Sequence, residues 1–303
     1  MRRRTWAAIG AAGLVFVACF LVILGLLVLS EPGGPSLGGN RVAVVEVEGV
    51  IIDAQRVVQE LERQAENPSV RAVVVRIQSP GGVVGPTQEI YTAIGRVREQ
   101  GKPVVASMGS VAASGGYYLA AAADRIVANP GTLTGSIGVI MQLAEVQELL
   151  KRVGVHYETI KAGRYKDIGS MGRALAPEER VILQALLDDM YDQFVDAVAR
   201  GRHLGRPAVL AVADGRIYSG RRAKELGLVD QLGGLDDAVR LAGELGGISG
   251  KPRVLQARRS TRLADWLQWL LEGHLLPPLP GEGPGGGGLP IFGVAKLPLY
   301  LMD

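Results

Sequence analysis

Short apolar runs alternate along most of the chain with longer segments in which apolar residues recur at helical spacing. Three runs are almost unbroken, over residues 42–47, 72–77 and 104–108. Uninterrupted apolar strands are typical of a sheet that is covered on both faces. Segments with helical periodicity follow these runs, over residues 57–64, 87–98 and 114–123. The rhythm predicts an α/β domain with a largely parallel sheet.

The second half of the domain continues with further predicted elements. We predict strands over residues 126–129, 137–141 and 156–160. We predict helices over residues 143–153, 177–202 and 235–245, and a short helix that begins after Ser219. Pro177 suits a first helical position, and Glu178 and Glu179 suit the first turn, although Ala176 before them offers no capping oxygen.

The two ends of the chain differ in composition from the middle. Three arginines precede an apolar or small stretch of 24 residues over 6–29. As a helix this stretch spans roughly 36 Å, which is enough to cross a hydrocarbon core of about 30 Å. We therefore expect residues 1–30 to be a retained membrane anchor with a cytoplasmic N-terminus and an extracytoplasmic domain after it.

The remaining boundaries follow from shifts in composition. Residues 31–40 are rich in Gly and Pro and predict a linker, and residues 41–274 form the folded domain. Residues 275–303 are a Pro/Gly-rich tail with an apolar end over 289–303. Because that apolar end is tethered by a flexible glycine run, we expect it to reach a substrate groove as an internal product or inhibitor.

Charge and cysteine content exclude some classes of protein. The net charge is +3 and the pI is near 9.0, and the basic residues are scattered rather than clustered. This distribution argues against a nucleic-acid partner. The single cysteine, Cys19, lies in the N-terminal apolar run, so no intrachain disulfide can form and the domain is held together by packing.

Ser114 lies where a predicted strand passes into a predicted helix, and Gly115 and Gly116 follow it. A serine oxygen at the positive end of a helix can act as a nucleophile, and paired glycines let a substrate backbone approach closely. A serine in this position is more often an N-cap whose hydroxyl bonds to the helix. The local pattern leaves both interpretations open.

A second glycine pair, Gly81 and Gly82, follows the strand predicted over 72–77. A Gly-Gly turn at the carboxyl end of a strand exposes backbone N–H groups at the edge of the sheet. Such groups can hold an oxyanion or a substrate strand, although a plain tight turn is the commoner meaning of Pro-Gly-Gly.

Amide cleavage also needs a group that accepts the proton of the nucleophile. The chain has three histidines, which are His156, His203 and His274. None of them points to a Ser-His-Asp triad, although chain order does not exclude one. A lysine serves equally well where burial lowers its pKa toward neutrality. Lys161 and Lys166 both follow the predicted strand over 156–160, and the pattern does not choose between them.

Several motifs taken together resemble a known family. They are Ala-Ala-Ser-Gly-Gly-Tyr-Tyr at 112–118, Ala-Asn-Pro-Gly-Thr-Leu-Thr-Gly-Ser-Ile-Gly-Val at 128–139, Tyr-Lys-Asp at 165–167, Tyr-Ser-Gly at 218–220 and Gly-Leu-Val-Asp at 227–230. In this order they resemble the short, single-domain form of signal peptide peptidase A, over residues 42–234. The resemblance implies a Clp protease and crotonase type of fold, built from repeated ββα units, and a Ser-Lys dyad.

The resemblance assigns the dyad by motif. Ser114 matches the nucleophilic serine of the family, and Lys166 in Tyr-Lys-Asp matches its general base. The match therefore favours Lys166 over Lys161. Ser136, the serine of Thr-Gly-Ser-Ile-Gly, matches a residue that hydrogen-bonds the lysine.

The resemblance also implies the oxyanion donors. By likeness they are the amides of Gly81 and Gly115, with Gly82 as an alternative to Gly81. The resulting acyl transfer implies no cofactor and no metal.

These implications describe a membrane-anchored serine endopeptidase that degrades cleaved signal peptides and other apolar peptides. The protein would contact membrane lipid through its N-terminal helix and form a ring-shaped homo-oligomer. Alternative hypotheses are a related membrane serine protease that acts on a specific membrane protein, a crotonase-type acyl-CoA enzyme on the same fold, and a non-catalytic membrane scaffold.

Overall fold

The computed structural model describes residues 41–256 and the backbone of residues 299–301. The expected anchor over 1–30, the linker over 31–40 and most of the tail lie outside the described residues. Within the described part of the chain, no helix combines the length and apolar character needed to cross a membrane.

The described residues contain ten strands and eight helices. The strands are β1 (Arg41–Glu48), β2 (Val70–Ser79), β3 (Gly81–Val83), β4 (Val104–Ala113), β5 (Arg125–Ala128), β6 (Leu133–Gly135), β7 (Ile217–Ser219), β8 (Gln231–Leu232), β9 (Arg253–Gln256) and β10 (Leu299–Leu301). The helices are α1 (Gln55–Glu66), α2 (Val84–Glu99), α3 (Gly115–Ala120), α4 (Gln147–Arg152), α5 (Pro177–Arg202), α6 (Arg206–Leu210), α7 (Gly220–Glu225) and α8 (Leu235–Leu245).

Eight of these strands form one central sheet. Its main path runs β7-β6-β4-β2-β1-β9, and β5 pairs with both β4 and β8. The pairs are parallel except for β6 with β7, which is antiparallel. The predicted α/β class and the largely parallel sheet are confirmed. A separate two-stranded antiparallel sheet joins β3 to β10.

The unbroken apolar runs arise because both faces of the sheet are buried. In β1, Ala43 and Val45 join a large core with α1, α2, α3 and α5, while Val42 and Val44 join a smaller core with α8. Successive side chains of a strand point to opposite faces, so each apolar residue of the run has a packed neighbour. The same division holds along β2 and β4.

Most predicted elements are present, including α5 and α8 with their predicted bounds. Ser219 caps α7 as expected, because its hydroxyl accepts the Arg222 amide at 3.2 Å. The missing cap at Ala176 is compensated by Glu179, whose carboxylate accepts the Ala176 amide at 3.0 Å.

Three predictions for the segment between β5 and α5 are wrong. The strand predicted over 137–141 is replaced by the earlier β6, after which Ser136 turns the chain with a φ of 49°. The helix predicted over 143–153 is shortened to α4. Residues 156–160 are not a strand, and Ile160 at their end is 94% exposed, because no strand among the described residues pairs with them.

Residues 141–176, which we call the arm, carry an unusual number of exposed apolar side chains. They are Leu143, Leu149, Val153, Val155, Tyr157 and Ile160. The first half of α5 continues this surface with Val181, Ile182 and Leu186, whereas the second half packs into the core. An exposed apolar surface of this extent is typical of a region that meets another molecule.

Candidate active site

Ser114 lies in a sharp turn between β4 and α3. Its backbone has φ 52° and ψ −118°, a conformation that costs a non-glycine residue about 1–3 kcal/mol. Two backbone hydrogen bonds hold the turn: the Ser114 amide donates to the Gly135 carbonyl at 2.8 Å, and the Ser114 carbonyl accepts the Tyr118 amide at 2.8 Å. A strained strand-to-helix turn of this kind presents the nucleophile in many hydrolases.

The Ser114 hydroxyl does not cap the helix that follows it. It makes no capping bond to α3 and has no hydrogen-bond partner among the described residues, although the residue is completely buried. An unpaired buried hydroxyl costs about 1–3 kcal/mol, so it is rarely retained without a function. The capping interpretation is therefore wrong, and the geometry favours a nucleophile.

Aromatic packing fixes α3 beneath this turn. The Tyr117 hydroxyl donates to the Leu228 carbonyl at 3.0 Å, and burial raises the pKa of this phenol well above its usual range, so it stays neutral. The Tyr118 ring packs against Tyr91 and Phe194, with ring centroids 4.9 Å apart in each pair. The helix therefore has little freedom to move Ser114.

The two glycine pairs of the sequence meet at this point. A Cβ on Gly115 would lie 3.2 Å from the Gly81 Cα and from the Gly82 nitrogen, and 3.1 Å from the Thr87 hydroxyl. Only glycine allows α3 to approach the edge of β3 so closely. The structure thus brings the proposed oxyanion donors to the same place as Ser114.

Gly81 and Gly82 direct their amides differently. The Gly81 amide donates to the Ser79 hydroxyl at 3.1 Å, so it is already engaged. On the edge of β3 that faces Ile51, the Gly81 carbonyl accepts the Ile51 amide at 2.9 Å and the Val83 amide donates to the Ile51 carbonyl at 2.7 Å. Because backbone groups alternate along a strand, the amide and carbonyl of Gly82 face the opposite edge.

Three residues of the tail occupy that opposite edge. The strand β10 pairs antiparallel with β3, and Tyr300 lies directly across from Gly82. The pairing means that the edge beside Ser114 accepts an extended backbone in a defined register. The expectation that the tail reaches this groove is consistent with this pairing.

Ser136 lies close to the nucleophile turn along the chain. It directly follows Gly135, whose carbonyl holds the Ser114 amide, and it is buried with a φ of 49°. Its own amide donates to the Arg216 carbonyl at 2.9 Å. The positive φ at a non-glycine residue marks a second constrained turn next to the first.

Among the described residues, Lys166 makes no hydrogen bond to Ser114. Lys166 is exposed on a turn of the arm, where its amide donates to the Gly163 carbonyl at 3.2 Å. Since the Ser114 hydroxyl has no partner among the described residues, the two side chains do not form a hydrogen bond there. The described part of the chain does not provide the burial expected for a lysine base.

The amine of Lys161, the other candidate base, already has two partners. Its amine donates to the Arg164 carbonyl at 2.9 Å and forms an ion pair with Asp167. By contrast, no side chain in the described part of the chain pairs with the Lys166 amine. Lys166 is thus the freer of the two amines.

The histidines do not offer a base in the described residues. His156 and His203 are both exposed, and His274 lies outside the described residues. Neither exposed ring is oriented by a carboxylate in the manner of a triad, since no such contact occurs among the described side chains.

A cluster of charges that no sequence pattern predicted lies next to Lys166. Arg173 pairs with both Asp167 and Glu179, and these bonds hold the pKa of the Asp167 carboxyl well below its usual range and lower that of Glu179 to about 2. The available signal was the six-residue spacing of alternating charges at 167, 173 and 179.

Sequence comparison now defines the class of protein. The model of peptidase family S49 matches residues 96–249, about half of the chain, and this span includes Ser114, Ser136 and Lys166. The chain therefore belongs to peptidase family S49 and is a protease.

The most similar relatives carry protease names. A Synechocystis sp. protein named provisionally as a protease is 49% identical over 210 residues, which are 69% of this chain and 76% of that protein. Protease 4 of Salmonella typhi is 37% identical over 220 residues, 70% of this chain and 35% of that protein. An Enterococcus faecium protein, named provisionally as signal peptide peptidase SppA, is 32% identical over 281 residues, 79% of this chain and 80% of that protein.

Proposed function

We propose that this protease is a serine endopeptidase that cleaves extended apolar peptides with Ser114 as nucleophile and Lys166 as general base. The observation that carries the proposal is the strained turn that presents the unpaired, buried hydroxyl of Ser114 beside the edge of β3. The relative named for signal peptide peptidase supports cleaved signal peptides as one substrate class. The succession of β2, β3 and α2 supports the Clp protease and crotonase type of fold.

The proposal assigns each of these groups a step in the reaction. The amine of Lys166 takes the Ser114 proton, and the serine oxygen attacks the peptide carbonyl carbon. The amides of Gly115 and of Gly81, or Gly82 in place of Gly81, donate to the oxyanion; the Gly81 amide is engaged by Ser79 and Gly82 lies across from Tyr300, so one of these contacts gives way to substrate. Protonated Lys166 then donates to the leaving amine, and water hydrolyses the remaining ester to release the acid and regenerate Ser114.

The base reaches Ser114 from a second copy of the chain in this proposal. Lys166 is exposed, the buried Ser114 hydroxyl lacks a base among the described residues, and both the arm and the start of α5 carry exposed apolar residues. Packing the arm of one copy over the site of the next buries these residues and desolvates Lys166. A head-to-tail contact of this kind closes into a ring where the rotation permits.

Membrane attachment is a further part of the proposal. The apolar stretch over 6–29 after three arginines supports an anchor with the peptidase domain on the extracytoplasmic side. Membrane fractionation tests it: the full chain should sediment with membranes, and its recovery in the soluble fraction would contradict the anchor.

Three substitutions in the full chain test the dyad with a quenched apolar peptide. Ser114→Ala and Lys166→Ala should each lower kcat at least about 10³-fold, because nucleophile and base act as a unit. Lys161→Ala should lose about tenfold or less, because it removes only a partly exposed ion pair. Full activity in Ser114→Ala would show that Ser114 is not the nucleophile. An inactive wild type would favour the alternative hypothesis of a non-catalytic membrane scaffold.

Mixing the two inactive variants tests whether the dyad forms between copies. In randomly mixed assemblies of Ser114→Ala and Lys166→Ala, about a quarter of the sites should combine an intact serine with an intact lysine from the neighbour. Activity should therefore return on mixing, and neither variant alone should show it. Mixed assemblies that form, by light scattering, yet stay inactive would place both residues in one chain.

Substitution Tyr300→Pro in the full chain tests whether the tail competes with substrate. Proline lacks the amide that an antiparallel pair requires, so β10 should leave the β3 edge. The KM for the peptide should fall severalfold while kcat stays constant, as it should in a chain that ends at Leu275. An unchanged KM in both chains would show that the tail does not occupy the groove.

A further inference from the structure

Arg173 links the arm to the start of α5 through an unusually complete set of hydrogen bonds. Its Nη1 and Nη2 donate to the two Glu179 carboxylate oxygens at 2.7 and 2.6 Å, and its Nε donates to Asp167 Oδ2 at 2.8 Å. It also donates to the backbone carbonyls of Ala174 at 3.1 Å and Asp167 at 3.3 Å. The planar guanidinium thus satisfies two carboxylates and two carbonyls at once.

Glu179 anchors this arrangement in the helix. Its side chain is only 5% exposed, and the carboxylate that receives Arg173 also accepts the Ala176 amide at 3.0 Å. The first turn of α5 and the end of the arm are therefore held by one carboxylate. A nearly buried carboxylate is strongly destabilising without its partner, so Arg173 and Glu179 form a unit.

On its other side the cluster binds the residue next to Lys166, the lysine of the proposed dyad. Arg173 binds both the side chain and the carbonyl of Asp167, the residue directly after Lys166. Lys161 approaches from the opposite side and pairs with Asp167. The turn that carries Lys166 is thus fixed through Asp167. The Lys166 amine itself pairs with none of the described side chains.

We propose that Arg173 is a positioning residue that holds the Lys166–Asp167 turn against α5, so that the amine meets the Ser114 hydroxyl in a productive geometry. This inference rests on the proposed Ser-Lys function and extends it. An exposed lysine on a long arm has many side-chain conformations, and a general base acts only within hydrogen-bond reach of the proton. A displacement of the lysine by about 1 Å can cost 10²-fold in rate, so fixing the turn that carries Lys166 has a catalytic effect.

A purely structural role for the cluster makes a different prediction. If Arg173 only stabilises the fold, its loss should lower thermal stability and affect every function of the chain to the same degree. If it positions Lys166, its loss should damage the lysine side of the dyad and leave the serine side intact. Arg206 provides the matched control, because it also pairs with two carboxylates, but these are Asp192 and Asp196 in the second half of α5 rather than residues of the arm.

The experiment compares Arg173→Met, Arg173→Lys and Arg206→Met in the full chain, with thermal unfolding measured for each. Arg173→Met should lower kcat about 10²-fold with a KM within about twofold of wild type. Arg173→Lys should recover part of this loss, because lysine restores the positive charge but not the planar guanidinium that binds both carboxylates. Arg206→Met should keep the wild-type kcat. A wild-type kcat in Arg173→Met would overturn the proposal.

Mixed assemblies then identify which half of the dyad Arg173 serves. Arg173→Met should regain activity when mixed with Ser114→Ala, which contributes an intact lysine side, and should gain none when mixed with Lys166→Ala. The mixture of Lys166→Ala with Ser114→Ala could regain activity while the mixture of Arg173→Met with Ser114→Ala does not. That result would show that Arg173→Met damages the whole chain, and it would reject the positioning role. If neither pair recovers, the dyad between copies fails, and the kcat loss of Arg173→Met relative to Arg206→Met decides the role of Arg173 alone.

Discussion

The strained turn at Ser114 is the constraint on which the rest of the site depends. The carbonyl of Gly135 holds the amide of Ser114 in a conformation that a non-glycine residue avoids, and the buried α3 fixes the other side of the turn. In this conformation the hydroxyl makes no hydrogen bond to the helix that it would otherwise cap. The glycine at 115 then allows the edge of β3 to lie against the same point. Backbone geometry, more than any ionic group, thus creates the serine side of the site.

The two sides of the proposed dyad are built by different physical means. The serine side lies in the core, where packing on α3 and the central sheet leaves little freedom. The lysine side lies on the exposed arm, where burial cannot provide order, and the ion pairs of Arg173 take over that role. Surface ion pairs are usually weak, but a fork that satisfies a nearly buried carboxylate is an exception. The arrangement explains why one chain holds an ordered nucleophile and yet leaves its base in solvent.

Several elements were predictable because their signals are local. The unbroken apolar runs of β1 and β2 follow from burial on both faces of the sheet, and the first turn of α5 follows from Pro177 and two acidic residues. The arm was mispredicted for the same reason. Its apolar residues are typical of a strand or a longer helix, since no local pattern reveals that Ile160 is left 94% exposed by the described part of the fold.

The sequence by itself determined the α/β class, the family, and the candidate residues Ser114 and Lys166, because periodicity and short motifs are encoded within a few neighbouring positions. Only the tertiary structure decided that Ser114 is not a cap, that Gly82 rather than Gly81 turns its amide toward the edge of β3 on which β10 pairs, and that Arg173 joins the arm to α5. Each of these features depends on a hydrogen bond whose geometry is set by how the surrounding elements fold together. Such contacts leave no periodic trace in the sequence, so they emerge only when the chain has folded.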